Sequence, residues 1–288
     1  MGCSNDIRTL GELNHEIPVV HFAQITYDPR DVTPDIDGAF LSDSRLVKSV
    51  GQLARAGSLP ILEGSTRMRV GAPIARPSAI ICVGMNYAAH AHESGSEPPT
   101  TPIIFLKTPN TIVGPDDNLR IPPGSTKTDW EVEFGLVIGS RAAYLQTLGD
   151  AARCVAGFVA ADDVSERAHQ IEQSGGQWSK GKSSPRFLPL GPHLVTPDEL
   201  DHHSLRLRSW VNGSPRQDSS TADMIFSVEY LIWHLSHYIV LEPGNVVLTG
   251  TPQGVALSGR FPYLREGDVV LGVSRGDDAG VTPGDDGF

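Results

Sequence analysis

The chain is poor in cysteine and has no paired thiols. Cys3, Cys82 and Cys154 are its three cysteines, an odd number at spacings that suit neither a disulfide framework nor a CxxC metal site. Cys82 and Cys154 sit inside apolar runs, so buried free thiols in a reducing compartment are the expectation. Positive charge is scarce too: 23 Lys and Arg face 34 Asp and Glu, for a net charge of −11. That balance argues against nucleic acid or an anionic membrane as partner, since both need a basic face. No run approaches the 18 apolar residues of a membrane span. The opening MGCSNDIRTLGELNHE lacks the basic and apolar regions of a signal peptide and the Ser or Thr of a myristoylation motif. A soluble, cytoplasmic protein is expected. GxGxxG, GxSxG and HExxH patterns are also absent, which weakens dinucleotide, serine-hydrolase and zinc readings.

Turn formers, by contrast, are plentiful. Glycine (30) and proline (22) make up 52 of the 288 residues, well above the roughly 12% of an average protein. So much punctuation implies many turns and a β-rich fold. The length allows one large domain or a small one plus a larger one. Residues 1–70 read as a small N-terminal subdomain, with a strand over Val19–Tyr27 and a helix over Ser44–Ala56. GAPIARP, at 71–77, reads as a linker because proline and glycine break regular elements.

The stretch Asp129-Trp130-Glu131-Val132-Glu133-Phe134 alternates acidic with apolar, the mark of a half-buried strand. Glu131 and Glu133 then share a face, with Cα atoms about 6.5–7 Å apart. Two carboxylates so placed suit a hard divalent cation such as Mg²⁺, Mn²⁺ or Ca²⁺. A plain solvated strand face satisfies the same pattern. The apolar runs Ala79–Gly84 and Ile103–Leu106 read as strands. His90 and Glu93, spaced i, i+3 after the first of them, share a helical face and can hydrogen-bond as a water-activating dyad. A solvated surface helix is the alternative, and His92 is read as surface. Asp162 and Asp163 close an apolar run before a predicted helix from Glu166 to about Gln173. Either could cap that helix, which leaves the other beside the sheet as a third carboxylate. Lys182 lies in a glycine-flanked loop, where an ammonium could meet an anionic substrate or a developing enolate. Thr249-Gly250-Thr251-Pro252 ends a strand tightly and could offer donors to a carboxylate. Asn212-Gly213 is a hairpin signal. Val228–Val240 has helical spacing. PGNVVLTG and EGDVVLGV are turn-then-strand units, and the acidic, glycine-rich tail is expected to fray.

Taken in order, VGMNYAAHAHESG, PIIFLK, DWEVEFGLVIG, ADDVSER, KGKS, PLGP, VNG with Gln217, PGNVVLTGTPQGV and LREGDVV resemble the fumarylacetoacetate hydrolase family. The match runs from about Ala75 to Val273. Within the family, STKTDWEVE, DVSER and QWSKGKS are most similar to the bacterial branch of 2,4-diketo-3-deoxy-sugar-acid and acylpyruvate hydrolases. The resemblance implies an α+β, β-rich fold: a mixed β-sheet roll at 71–288 around a divalent-metal site, Mg²⁺ by preference, usually in a homodimer. It implies Glu131, Glu133 and Asp163 as metal ligands and His90 with Glu93 as a catalytic dyad on a lid segment. Lys182 is implied as a catalytic lysine, with Arg167, Gln170 and Thr251 binding substrate. Departures from the family pattern are Met85 before Asn-Tyr, Asp162 before Asp163, Ser184-Pro185-Arg186 after Lys-Ser, and Asn245 in the turn before the strand. None removes a ligand or the dyad. The implied reaction is hydrolytic carbon–carbon cleavage of a 2,4-diketo acid, a small oxo-acid, to pyruvate and a carboxylic acid. Oxaloacetate decarboxylation and isomerisation of an unsaturated oxo-diacid (2-hydroxyhepta-2,4-diene-1,7-dioate type) use the same site. A non-catalytic binding protein on the same fold is the remaining alternative.

Overall fold

The structure, a computed structural model, describes residues 6–13 and 15–275. Cys3 and the tail after Arg275 lie outside the described residues. In chain order the N-terminal part forms β1 (Asp6–Leu10), β2 (Ile17–Phe22), β3 (Ile25–Tyr27), α1 (Gly38–Ser42), α2 (Ser44–Arg55) and β4 (Val70–Gly71). The rest forms β5 (Ile80–Gly84), α3 (Ala88–Glu93), β6 (Ile103–Lys107), β7 (Ile112–Val113), β8 (Thr128–Asp129), β9 (Val132–Ile138), α4 (Leu148–Ala152) and β10 (Val155–Asp162). After these come β11 (Ser165–Glu166), α5 (Ser179–Lys182), β12 (Leu188–Pro189), β13 (Arg206–Val211), β14 (Ser214–Ser220), α6 (Val228–Leu235), β15 (Val246–Leu248) and β16 (Val270–Arg275). The class is α+β and β-rich, as expected.

The central sheet runs β10-β9-β15-β5-β6. It is mixed: β15 lies parallel to β5, while every other neighbouring pair is antiparallel. Its middle strands are covered on both sides, which is why β5 and β15 read as unbroken apolar runs. Ile80, Cys82, Val246 and Leu248 face one core, and Ile81 and Val247 face the other. Each such fully buried Ile or Leu stabilises the fold by about 1.5–3 kcal/mol. Helix α6, capped by Ser227, covers the second face through Ile232 and Leu235. It stops at Leu235, short of the predicted Val240. The Asn212-Gly213 signal is met by a hairpin between β13 and β14, with both turn residues at positive φ.

The N-terminal sheet, ordered β3-β2-β1-β4, packs into the first of these cores. Ile7, Val20 and Tyr27 share it with Cys82, Val137 and Val159. The strand predicted over Val19–Tyr27 is in fact two strands, because Ala23 and Gln24 both adopt positive φ and reverse the chain between β2 and β3. Residues 71–77, read as a linker, are built into the packed fold. Gly71 ends β4, and Ile74 is buried in the shared core. Helix α2 matches its predicted span, with Asp43 accepting from the Arg45 and Leu46 amides.

Candidate functional site

The acidic stretch does not form the half-buried strand that alternation predicts. Strand pairing breaks at Trp130 and Glu131, between β8 and β9, and every residue of β9 is buried. Trp130 packs with Val211, Ala256 and Leu264, while Glu131 and Glu133 point into the protein. Of the two readings of that face, cation-holding or solvated, the solvated one is excluded, because the face is an interior one. What makes it tolerable is a set of buried cations, since an unpaired interior charge is very costly.

Glu131, Glu133 and Asp163 bring carboxylate oxygens within 4.8 Å of one another, all three buried. Lys182 Nζ donates to Glu131 Oε2 at 2.6 Å and to Asp163 Oδ2 at 2.7 Å. Lys107 Nζ donates to the other Asp163 oxygen at 2.6 Å. Arg167 pairs with Glu131 Oε1 at 2.6 Å, and its Nε donates to Asp129 Oδ2 at 2.8 Å. The Asp129 oxygens also accept the Ala256 and Leu257 amides. Asp162 accepts the Glu131 amide at 2.7 Å. Glu133 has no cation hydrogen-bonded to it among the described residues; it accepts the Gly250 amide at 2.8 Å.

Charge balance in this network tests its fitness for a metal. Within it five buried carboxylates (Asp129, Glu131, Glu133, Asp162, Asp163) meet three buried cations (Lys107, Arg167, Lys182), while a sixth buried acid, Glu166, lies outside it on the Thr128 hydroxyl. The excess is two negative charges, which matches one divalent ion. Without such an ion the excess is carried as protons. Burial, reinforced by Asp163 and Glu131, pushes Glu133 well above the usual carboxylate range. Burial likewise pushes Asp162 up to about 7, against the pull of the Glu131 amide. Glu131 goes the other way: burial opposes its charge, but Lys182 and Arg167 hold it down at about 2. The donors are all oxygens, so the arrangement fits a hard cation.

Helix α3 carries His90 and Glu93. The Asn86 amide group fixes its start by donating to the Phe226 and Thr249 carbonyls and accepting the Phe226 amide. His90 is buried, and burial lowers its affinity for a proton, so it is held as the neutral base. The expected dyad hydrogen bond is not made. His90 Nδ1 stops 3.9 Å from Glu93 Oε2 and has no hydrogen-bond partner among the described residues. Glu93 instead accepts the Gly254 amide and an Arg260 guanidinium N–H, each at 2.9 Å. His92 is exposed, as read.

The other predicted site residues are all buried and already hydrogen-bonded. Lys182 lies in the buried turn α5 rather than in an open loop, and its ammonium is committed to Glu131 and Asp163. Arg167 and Gln170 are buried and joined to each other, Arg167 Nη1 donating to Gln170 Oε1 at 2.8 Å. Thr251 donates to the Val132 carbonyl and accepts from Gln217 Nε2, so its hydroxyl clamps the turn after β15. The predicted helix at Glu166–Gln173 is a π-helical turn over Ala168–Glu172, and neither Asp162 nor Asp163 caps it. Asn245 closes its turn by accepting the Glu242 amide and donating to Ser78.

The sequence reading assigned no site role to Lys107, Asp129 or Gln217. Lys107 had a usable signal: in β6 the inward positions are Phe105 and Lys107, and an inward lysine needs an interior anion. Gln217 binds the Val132 amide, Ser209, Thr251 and the Pro252 carbonyl, partners far apart in sequence. A cleft of about 800 Å³ between residues 115–121 and 264–270 meets the network, among its lining residues, at Asp162. A second group, His202, His203 and Glu229, lies nearer the surface. There the 2.9 Å His202–Glu229 hydrogen bond pins a loop to α6.

Residues 79–277 match the family described as fumarylacetoacetate (FAA) hydrolase C-terminal. The chain belongs to the fumarylacetoacetate hydrolase family. It is 44% identical over 227 residues to a 2,4-didehydro-3-deoxy-L-rhamnonate hydrolase of Sphingomonas sp. (strain SKA58), covering 77% of this chain and 78% of that one. It is 45% identical over 233 residues to oxaloacetate tautomerase FAHD2A, mitochondrial, of Bos taurus, covering 80% and 74%. Among solved structures, a fumarylacetoacetate hydrolase from Exiguobacterium antarcticum superposes with a TM-score of 0.80 at 30% identity, over 95% of this chain and 96% of that one. The protein is therefore an enzyme of the fumarylacetoacetate hydrolase family. No helix among its described residues is long and apolar enough to cross a membrane.

Proposed function

We propose that this fumarylacetoacetate hydrolase family enzyme hydrolyses a carbon–carbon bond of a 2,4-diketo acid, releasing pyruvate and a carboxylic acid. The observation that carries the reading is the closeness of Glu131, Glu133 and Asp163, buried together with a charge excess of two, in a chain that also buries a neutral His90. Glu131, Glu133 and Asp163 would hold a divalent ion, Mg²⁺ by preference, which when bound supplies positive charge to the substrate carboxylate and adjacent carbonyl oxygen. Lys182 and Arg167 hold Glu131 ionised and fix its two oxygens, and Lys107 and Lys182 each fix one oxygen of Asp163. His90, through the ring nitrogen not facing Glu93, takes a proton from water. The water oxygen bonds to C4 of the substrate, the C3–C4 bond breaks, and its electron pair leaves as the pyruvate enolate. The proton held on His90 returns to C3. In this reading Lys182 acts by positioning carboxylates, not by touching the enolate. The small oxo-acid partner and the homodimer implied by the family resemblance belong to the same proposal.

Oxaloacetate tautomerisation is the second reading. It is favoured by the 45% identity to a protein named for that activity, and by the missing His90–Glu93 hydrogen bond, because moving a proton between carbon and oxygen needs no activated water. One experiment separates the two: ultraviolet absorbance of acetylpyruvate is followed with Mg²⁺ and then with EDTA. Loss of the diketone band with pyruvate formed, abolished by EDTA, supports hydrolysis. An unchanged band, with keto–enol exchange of oxaloacetate accelerated in the same buffer, removes the hydrolase reading and puts tautomerisation first.

A further inference from the structure

Glu93 is the one carboxylate of α3, and neither of its oxygens serves His90. Oε2 accepts the Gly254 amide and Oε1 an Arg260 N–H, while His90 Nδ1 stands buried 3.9 Å from Oε2, with no partner among the described residues. Both donors belong to the loop that follows β15. The near end of that loop reaches the carboxylate centre, where the Gly250 amide donates to Glu133 and Thr251 to the Val132 carbonyl. One chain segment thus grips the buried acids at residue 250 and the His90 helix at residues 254 and 260. The start of α3 is held separately, by Asn86 and by Asp223, which accepts the Ala89 amide. Its end has no hydrogen bond to the rest of the fold besides those through Glu93 among the described contacts, and the chain beyond it, Ser94–Pro98, is exposed.

We infer that Arg260 is a positioning residue: through Glu93 it latches α3, and with it His90, over the carboxylate centre. The inference deepens the hydrolase reading and rests on that reading for its catalytic consequence. Glu93 then acts first as a clasp and not as the orienter of the imidazole. The latch is built to open. Arg260 is 60% exposed, against 11% for Glu93, and its guanidinium lies on the Phe261 ring at 5.3 Å. The pair is therefore open to water and salt, and exposed pairs of this kind are weak. The Gly254 amide, part of the backbone, remains to re-seat the helix when the ion pair parts. Substrate entry can use this opening without disturbing the deeper Lys182 and Arg167 pairs, which are buried.

Hydrogen exchange read by mass spectrometry on the full chain tests this without any substrate. In Arg260→Gln, peptides covering 88–95 are expected to exchange about 2–5-fold faster, while those covering 132–138 are unchanged. Arg260→Lys, which keeps the charge, is expected to stay near the unmodified protein. Sodium chloride at about 1 M should speed exchange of 88–95 in the unmodified protein and have little effect on Arg260→Gln. Unchanged exchange of 88–95 in Arg260→Gln would overturn the latch, as would equal acceleration in Arg260→Lys. So would acceleration spread evenly into 132–138, which marks general loosening. Expected exchange behaviour with acetylpyruvate left intact would sink the hydrolase reading and spare the latch. Cleavage with unresponsive exchange would do the reverse.

Discussion

Lys182 Nζ stands between two acids, 2.6 Å from Glu131 and 2.7 Å from Asp163. All three groups are buried, so the ammonium is an interior counter-charge and its removal leaves two anions facing each other out of water. Burial lowers the lysine's affinity for its proton, but Asp163 and Glu131 more than reverse this.

Lys182→Met keeps the bulk of the side chain and removes the charge. In EDTA it is expected to cost about 3–5 kcal/mol of stability, the usual range when one partner of a buried pair is lost. A divalent ion bound to the same acids replaces part of the missing charge, so excess Mg²⁺ should recover part of the loss. Urea unfolding in the two buffers checks this. Equal losses in both would show that the lysine is not a charge partner of a metal site.

The metal-free protein should become less stable as pH rises through neutrality. Glu133 and Asp162 have folded-state affinities for protons above their unfolded ones, Asp162 up to about 7. The stability they lend is complete below their unfolded values and is lost as pH climbs through the folded ones. Glu131, held at about 2, contributes above its unfolded value and loses that only as pH falls toward 2. In EDTA, maximal stability is therefore expected near pH 4–4.5, around the unfolded carboxylate values. Above it the decline is at most about 1.4 kcal/mol per pH unit for each of the two groups, ending near pH 7 for Asp162 and continuing further for Glu133. Glu133→Gln should flatten the alkaline decline, and Mg²⁺ should remove it in the unmodified protein. Thermal unfolding across pH measures it, and a metal-free protein that gains stability from pH 6 to 8 contradicts the charge balance.

What the sequence made legible was local. Alternation placed Glu131 and Glu133 on one face, Asn212-Gly213 announced its hairpin, and the apolar runs around Ile80 and Val246 marked central strands. It could not say which way the acidic face looked. A polar face turned to water and one turned to buried lysines alternate identically, and the deciding partners, Lys182 and Arg167, lie tens of residues further on. Glu93 shows the same limit: its i, i+3 spacing to His90 is real, yet its two hydrogen-bond donors come from 161 and 167 residues away. Competition between a near partner and a distant one is settled by tertiary packing, which spacing does not encode.

His90→Ala should lower acetylpyruvate turnover by about 10²–10⁴, the usual contribution of a general base. Metal affinity should be unaffected, because no hydrogen bond joins the imidazole to Glu131, Glu133 or Asp163 among the described residues. Steady-state kinetics and Mg²⁺ titration calorimetry on one sample give both quantities. Unchanged turnover would place the base elsewhere, and a lost Mg²⁺ signal would mean that His90 is part of the cation site.

Two glycines should respond oppositely to alanine. Gly181 precedes Lys182 in α5 and lies against the π-helical turn. A Cβ there would come within 2.4 Å of the Gln170 amide nitrogen and 2.5 Å of the Glu166 carbonyl oxygen. Those are backbone atoms that cannot step aside, so Gly181→Ala should force α5 off the turn at about 1–3 kcal/mol. Because Lys182 is carried by α5, and Arg167 adjoins the turn it leaves, Mg²⁺ affinity should fall with stability. Gly149 sits in α4 with its nearest neighbours at 3.7 and 3.8 Å. Alanine there meets only ordinary contacts and gains helix propensity, so Gly149→Ala should stabilise by about 0.5–1 kcal/mol and leave Mg²⁺ binding alone. If Gly181→Ala kept full Mg²⁺ affinity while losing stability, the seating of Lys182 would not govern the carboxylate centre.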